Sequence, residues 1–307
     1  MSTIEVVAAS RWFGDVVALN DVSMRIAPGV TGLLGPNGAG KSTLIAMMAG
    51  FLAPSSGSVV LDGAPVWRRE EVYRQIGVVP ETEAAYDVVT GWTFVLAMAR
   101  LQRLPDPAAA ARRALELVEM SDAADREIGT YSKGMKQRVK MASALVHDPA
   151  VLLLDEPFNG MDPRQRLHLM RLLTEMGEAG RTVLFSSHIL EEVEEIAGTI
   201  EVVVAGRHAA SGDFRQIRRL MTERPHQFTV TSSDDRALAA AVVADGVASA
   251  VELGEVLHVQ AADHGRFVHV LPVLARQHGI RLFEVAPADE SLESVFAYLV
   301  GRPGGAR

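Results

Sequence analysis

The sequence has no cysteine, only four lysines, and no uncharged apolar run long enough to span a membrane. Without cysteine there are no disulfides, thiol nucleophiles or Cys-ligated metals, and the redox compartment is left undetermined. A spanning helix needs roughly 18 or more consecutive apolar residues. The most apolar stretch, Ala237 to Val251, is interrupted by Asp245 and Gly246, which fits buried structure better than a membrane span. The first residues, Met1 to Val7, read as the opening of a strand and carry no basic segment followed by a long apolar one, so no secretory signal is expected. Excess positive charge is also missing. With a formal net charge of −8, the chain has no electrostatic footprint for a polyanion, and nucleic acid is not an expected partner.

The length, 307 residues, predicts two domains with ample core. Gly35-Pro36-Asn37-Gly38-Ala39-Gly40-Lys41-Ser42 has the spacing G-x-x-x-x-G-K-[ST] and is followed by Thr43. It lies between the apolar run Val30 to Leu34 and the helix-like Lys41 to Ala49. Glycines in this pattern let successive backbone N–H groups turn toward phosphate oxygens, while Lys41 adds a cation and Ser42 offers a hydroxyl to Mg²⁺. The N-terminus of the following helix adds its dipole.

Downstream, Val151-Leu152-Leu153-Leu154 ends in Asp155-Glu156-Pro157, the pattern of a buried parallel strand with acids at its carboxyl end. Open α/β sheets bind ligands at that end. Asp155 is assigned to the metal, and Glu156 to orienting or deprotonating an attacking water. A second apolar strand, Arg181 to Phe185, leads into Ser186-Ser187-His188 and places a histidine where it could contact a terminal phosphate.

In this order the motifs resemble the ATP-binding subunit of an ABC transporter across residues 1 to about 215. The resemblance implies ATP and Mg²⁺ as cofactors and gives further positions a role. Phe13, before Gly14, takes the place of the aromatic that stacks on adenine, with Trp12 beside it as a competitor. Glu81, in Val78-Val79-Pro80-Glu81, stands where the family normally has a glutamine whose amide reaches Mg²⁺. Tyr131-Ser132-Lys133-Gly134-Met135-Lys136-Gln137-Arg138 resembles the signature that closes over ATP held by another subunit. Ser132 and Gly134 match it, whereas Lys133 and Met135 depart. Three of the four lysines fall between positions 133 and 140, which suits an anion-facing segment. Asp162 matches the turn that crosses the dimer interface, and His188 matches the switch histidine.

Helical periodicity between Glu81 and Ala150 resembles the inserted helical subdomain (about 85–150), with Ala111, Leu115 and Val118 on one apolar face that reads as core. After Gly212 the order β-α-β-β-α-β, strands at Gln227–Thr231, Glu255–Val259 and Arg281–Val285 with helices at Arg236–Ala244 and Arg266–Gln277, predicts a small α+β accessory domain. It spans residues 216–307, is joined through the basic stretch Arg215 to Arg224, and closes with an amphipathic helix at Ser291–Leu299. His258, His264 and His269 match no standard metal spacing.

The expected fold class is therefore α/β: a P-loop ABC-type ATPase domain with an inserted helical subdomain, plus a small C-terminal α+β domain. The resemblance implies a catalytic pair, Glu156 and His188. It also implies a separate integral-membrane permease and a second ATP-binding subunit as partners, and a cytoplasmic location on the inner face of the cell membrane. The Pro80-Glu81 and Tyr131 to Arg138 spellings look most like the branch that exports drugs, antibiotics, lipids or polymers. A non-transport ABC-type ATPase acting in assembly or in nucleic-acid and ribosome processes is the alternative reading.

Overall fold

The computed structural model describes residues 2–82, 87–214, 216–217, 225–288, 292–293 and 296–297, and divides the chain into two compact units, Met1–Ser211 and Gly212–Arg307. The basic stretch 215–224 lies mostly outside the described residues. Of the closing segment 291–299, only residues 292, 293, 296 and 297 are described, and these are helical.

The first unit runs β1 (Ile4–Phe13), β2 (Val16–Ile26), β3 (Gly29–Leu34), α1 (Lys41–Met48), β4 (Ser56–Leu61), β5 (Ala64–Pro65), α2 (Glu70–Tyr73) and β6 (Ile76–Val79). It continues with α3 (Gly91–Leu101), α4 (Pro107–Leu117), α5 (Lys133–Leu145), β7 (Val151–Asp155), α6 (Pro163–Glu178), β8 (Thr182–Ser186), α7 (Leu190–Ile196), β9 (Thr199–Val204) and β10 (Arg207–Gly212). A six-stranded sheet has the order β10-β9-β3-β8-β7-β6, and its β9-β3-β8-β7-β6 pairings are parallel. Helices cover both faces of such a sheet, so its central strands are apolar throughout, and every residue of β7 and β8 is buried.

A second, antiparallel sheet of order β2-β1-β4-β5 packs against α1. Ile4, Leu19 and Ile26 from this sheet share one core with Leu44, Met47 and Met48 of α1 and Leu153 and Leu184 of the parallel sheet. The phosphate loop is thus anchored behind by apolar packing on two sides.

Residues 91–145 form the helical part, and here the stripe Ala111, Leu115 and Val118 is buried, as its spacing predicts. Side chains cap α4 (Asp106), α5 (Ser132) and α6 (Asp162), with proline at the first position of α4 and α6, whereas α1 begins at Gly40 without such a cap.

The second unit consists of β11 (His226–Ser232), α8 (Asp235–Asp245), β12 (Ala250–Leu253), β13 (Leu257–Ala261), α9 (His264–Gln277) and β14 (Leu282–Pro287). Its antiparallel sheet has the order β12-β13-β11-β14 and closes over Phe228, Val230, Leu238, Val242, Phe267 and Leu271. No helix among the described residues is long and apolar enough to cross a membrane, and no metal-holding cluster of His, Asp and Glu occurs among them.

Candidate functional site

Sheet register decides what meets at the carboxyl rim of the parallel sheet. Leu33 of β3 pairs with Ser186 of β8, and Asp155 of β7 pairs with the same Ser186. The loop after β3, the acids ending β7 and the histidine after β8 are therefore neighbours although their sequence positions span 150 residues. The loop and the acids border a cleft of about 480 Å³ lined by Asn37–Thr43, Glu81, Asp155 and Glu156 together with Val16, Val17 and Ala18; His188 is not in its lining and meets it through Glu156.

The loop itself is built by close approaches. Gly35 lies where a Cβ would come within 2.3 Å of the Val203 carbonyl oxygen, so any side chain would push the loop off β9. Gly40, which begins α1, sits at φ +102° with the Ala18 carbonyl 2.7 Å from its ideal Cβ. Lys41 is buried and donates to the carbonyls of Gly35 (2.7 Å) and Pro36 (3.4 Å), holding the loop closed around its own ammonium group.

The acids are held in a small network. Buried Ser186 donates its hydroxyl to Asp155 Oδ1 at 2.6 Å, and the Ser186 hydroxyl oxygen accepts the Glu156 N–H at 3.0 Å. Glu156 adopts φ +50°, the left-handed region that non-glycine residues rarely occupy. Its Oε2 lies 2.7 Å from His188 Nδ1, and its carbonyl accepts from Gln137 of α5 at 3.3 Å. Backbone strain of this kind collects where a side chain must point in one direction for chemistry. Here it brings a carboxylate and an imidazole together beside a phosphate-shaped loop.

Not every position singled out from the sequence enters the cleft. Ser132 caps α5 by accepting the Met135 N–H at 3.2 Å, and Gly134 packs against the Gly160 carbonyl and Gln165. Asp162 caps α6 by accepting the Gln165 N–H at 2.9 Å. Phe13 and Trp12 are half exposed at the β1–β2 turn, and the guanidinium of Arg11 covers one face of the Phe13 ring at 4.5 Å. The lysine cluster also differs from an anion-facing segment. Lys136 pairs with Asp87 at 3.0 Å, and buried Lys140 donates to the carbonyls of Pro80 (2.8 Å) and Thr82 (3.2 Å), bracketing Glu81. Of the three, only Lys133 is fully on the surface.

Two residues that hold neighbours of the cleft escaped the sequence reading, Ser186 behind the acids and Lys140 beside Glu81. The first had a signal in a hydroxyl ending a wholly apolar strand. The second had one in a cation three and four residues from Gln137 and Ala144, at the spacing that puts all three on one helix face.

Residues 19–159 match the family model described as ABC transporter. Over 299 residues the chain is 33% identical to the linearmycin resistance ATP-binding protein LnrL of Bacillus subtilis (strain 168), covering 94% of this chain and 96% of that protein. The chain belongs to the ABC transporter ATP-binding family. It is also 31% identical over 319 residues to the daunorubicin/doxorubicin resistance ATP-binding protein DrrA of Streptomyces peucetius, covering 99% of this chain and 94% of that protein. Among solved structures, an ATP-binding subunit of an ABC transporter superposes with a TM-score of 0.64 at 30% identity, over 70% of this chain and 92% of that one. The α/β cassette fold and the ATPase activity follow from this membership.

Proposed function

We propose that this ATPase binds ATP with Mg²⁺ in the cleft between Asn37–Thr43 and Asp155–Glu156, pairs with a second ATP-binding subunit, and powers export through a separate membrane permease. The observation that carries the site assignment is the Glu156–His188 pair, held at 2.7 Å on the rim that the phosphate loop shares with Asp155.

The donors around the cleft suit a hard cation: Ser42 supplies a hydroxyl, and Asp155 and Glu81 supply carboxylates. These residues would hold Mg²⁺, which would neutralise negative charge developing on the phosphate oxygens. The N–H groups of the loop and the ammonium of Lys41 position the phosphates. Glu156 accepts a proton from, or orients, the water that attacks the terminal phosphate, and His188 fixes the direction of that carboxylate. Glu81 in place of an amide adds negative charge beside Glu156, which tunes hydrolysis without abolishing it.

Ser132 and Gly134 are not among the residues lining this chain's own cleft, so their assigned contact with a γ-phosphate requires a second subunit. Head-to-tail pairing, by a second copy or a homologue, would trap two ATP between the loop of one subunit and Ser132 and Gly134 of the other. Closure that is favourable only with the γ-phosphate present makes hydrolysis the resetting step. The names of LnrL and DrrA support a drug-like or antibiotic cargo; lipid or polymer export belongs to the same reading, as does a location on the cytoplasmic face of the membrane beside the permease. The second unit is read as an accessory domain of the same subunit.

Glu156→Gln tests the assignment directly. It should bind ATP with near-normal affinity, lower turnover by about 100-fold or more, and accumulate the ATP-bound dimer. Normal turnover would remove Glu156 from its role. The same variant, tagged and extracted from membranes in mild detergent with ATP, should co-purify with a polytopic membrane protein in near-stoichiometric yield. Recovery of only soluble proteins or nucleic acid would favour a non-transport ATPase.

A further inference from the structure

Next to the site lies a carboxylate with no part in the chemistry above. Glu192 sits in the first turn of α7 with a side chain only 6% exposed. Its Oε2 accepts from the buried hydroxyl of Ser187 at 2.6 Å, and that hydroxyl oxygen accepts the Ile189 N–H at 3.0 Å. Glu192 and Ser187 thereby grip the backbone on either side of His188. The other oxygen, Oε1, faces Arg166 Nε at 3.3 Å, a charge contact without hydrogen-bond alignment.

Arg166 connects this grip to the rest of the site. It stands in the first turn of α6 and donates its backbone N–H to the carbonyl of Asp162 at 2.9 Å. Its neighbour Gln165 lies so close to α5 that a Cβ on Gly134 would come within 2.7 Å of Gln165 Oε1. A contiguous set of contacts therefore runs from Gly134 through Gln165 and Arg166 to Glu192, Ser187, His188 and Glu156. Burying a carboxylate this deeply is costly unless its partners compensate. Burial does raise the pKa of Glu192 above the ordinary carboxylate value, and Ser187 and Arg166 oppose that shift. A residue needed only to start α7 would gain as much from a solvated acid, as its exposed neighbour Glu191 shows.

We propose that Glu192 is a positioning residue for ATP hydrolysis: through Ser187 it sets the placement of His188 against Glu156, and through Arg166 it ties that placement to the Asp162 turn and the Gly134 contact. The proposal rests on the assignment of Glu156 and His188 to hydrolysis. Its consequence is that the hydrolytic pair senses the segments that face a second subunit, so that turnover responds to how those segments are seated.

The test uses the full-length protein and compares wild type with H188A, E192A, E192Q, R166A and the double variant E192A/R166A. Steady-state ATPase, equilibrium ATP binding and thermal midpoint are measured for each. E192A should lower kcat about tenfold, the usual scale for removing a partner that orients a reacting group. KM and ATP affinity should stay within about twofold of wild type, because the loop that binds phosphate is untouched. E192Q, which retains a hydrogen-bonding partner for Ser187, should recover part of kcat, and the double variant should be no slower than E192A alone because the two residues act in series.

E192A with kcat within about twofold of wild type would overturn the proposal, as would a KM rise that accounts for the loss or a double variant whose defects multiply. Should E192A fail to fold, wild-type kcat in both E192Q and R166A would overturn it. An H188A variant with full turnover would instead remove the site assignment beneath the proposal. Loss in H188A with normal E192A would refute the role of Glu192 alone.

Discussion

Removing one oxygen, with Ser186→Ala, tests whether the site is held together from behind. Ser186 is completely buried, and its hydroxyl serves two partners: it donates to Asp155 Oδ1 at 2.6 Å and accepts the Glu156 N–H at 3.0 Å. Losing a hydrogen bond to a charged group costs about 1.5–3 kcal/mol, and leaving a buried N–H unpaired costs about 1–3 kcal/mol. The two losses share one atom and one strand end, so they do not simply add, and about 3 kcal/mol is the expected total. In a unit of this size each kcal/mol lowers the melting temperature by about 2–4 °C, which gives a drop of about 6–12 °C. Calorimetry without nucleotide reads it. The vacated volume is one hydroxyl, too small for a water to take over both contacts. ATPase measured against Mg²⁺ concentration should also show about a tenfold higher requirement, because Asp155 loses the partner that orients it. A melting temperature within about 2 °C of wild type, together with unchanged Mg²⁺ dependence, would refute the idea that Ser186 supports both acids.

Three further outcomes are expected. Asp162→Ala should cost about 1 kcal/mol through loss of the α6 cap, and Asp162→Asn should recover it because an amide oxygen caps equally well; failure of the asparagine to recover stability would show that charge, not capping, matters. Phe13→Ala should weaken ATP binding about fivefold or more, as loss of base stacking does, whereas Trp12→Ala should leave affinity unchanged; the reverse pattern in a binding titration would transfer the stacking role to Trp12.

Two histidines should give pH dependences of opposite sign. The Glu201 carboxylate, 2.6 Å from His208, raises the pKa of that imidazole, so its contribution to stability is full below about pH 6.5 and fades as pH rises through the folded value. Desolvation lowers the pKa of His147, whose ring contacts the Ile76 carbonyl; its contribution is full above about pH 6.5 and fades as pH falls through the folded value. Thermal scans should show His208→Asn losing the alkaline slope and His147→Asn losing the acidic one, and slopes of the same sign in both would contradict this.

What could be read from the chain follows the range of the interactions involved. The phosphate loop and the strand Val151–Asp155 are local patterns, a glycine spacing and an unbroken apolar run, and each keeps its meaning without knowledge of its neighbours. The helical stripe at Ala111, Leu115 and Val118 is legible for the same reason, since 3.6-residue periodicity is a property of one segment. The antiparallel sheet β2-β1-β4-β5 is only partly so: β1–β2 and β4–β5 are local hairpins, but β1–β4, which joins them, pairs residues more than 50 positions apart, such as Val6 with Val59, with a register shift along the way. Contacts across the sheet were equally hidden: Ser186 reaches Asp155 over 31 residues, and Lys140 reaches Pro80 over 60. The lysine cluster shows the limit plainly. Composition marked it as a patch of one charge, whereas burial divides its members among an ion pair, a pair of backbone carbonyls and the open surface.

The backbone of Glu156, at φ +50°, would suit glycine or asparagine better than glutamate. Left-handed residues of this kind cost about 1 kcal/mol or more. A screen that rewards heat resistance alone would therefore enrich Glu156→Gly or Glu156→Asn, returning hardier molecules that, on the role proposed for Glu156, no longer turn over ATP. Anyone evolving this subunit for robustness should hold position 156 fixed and look for gains elsewhere.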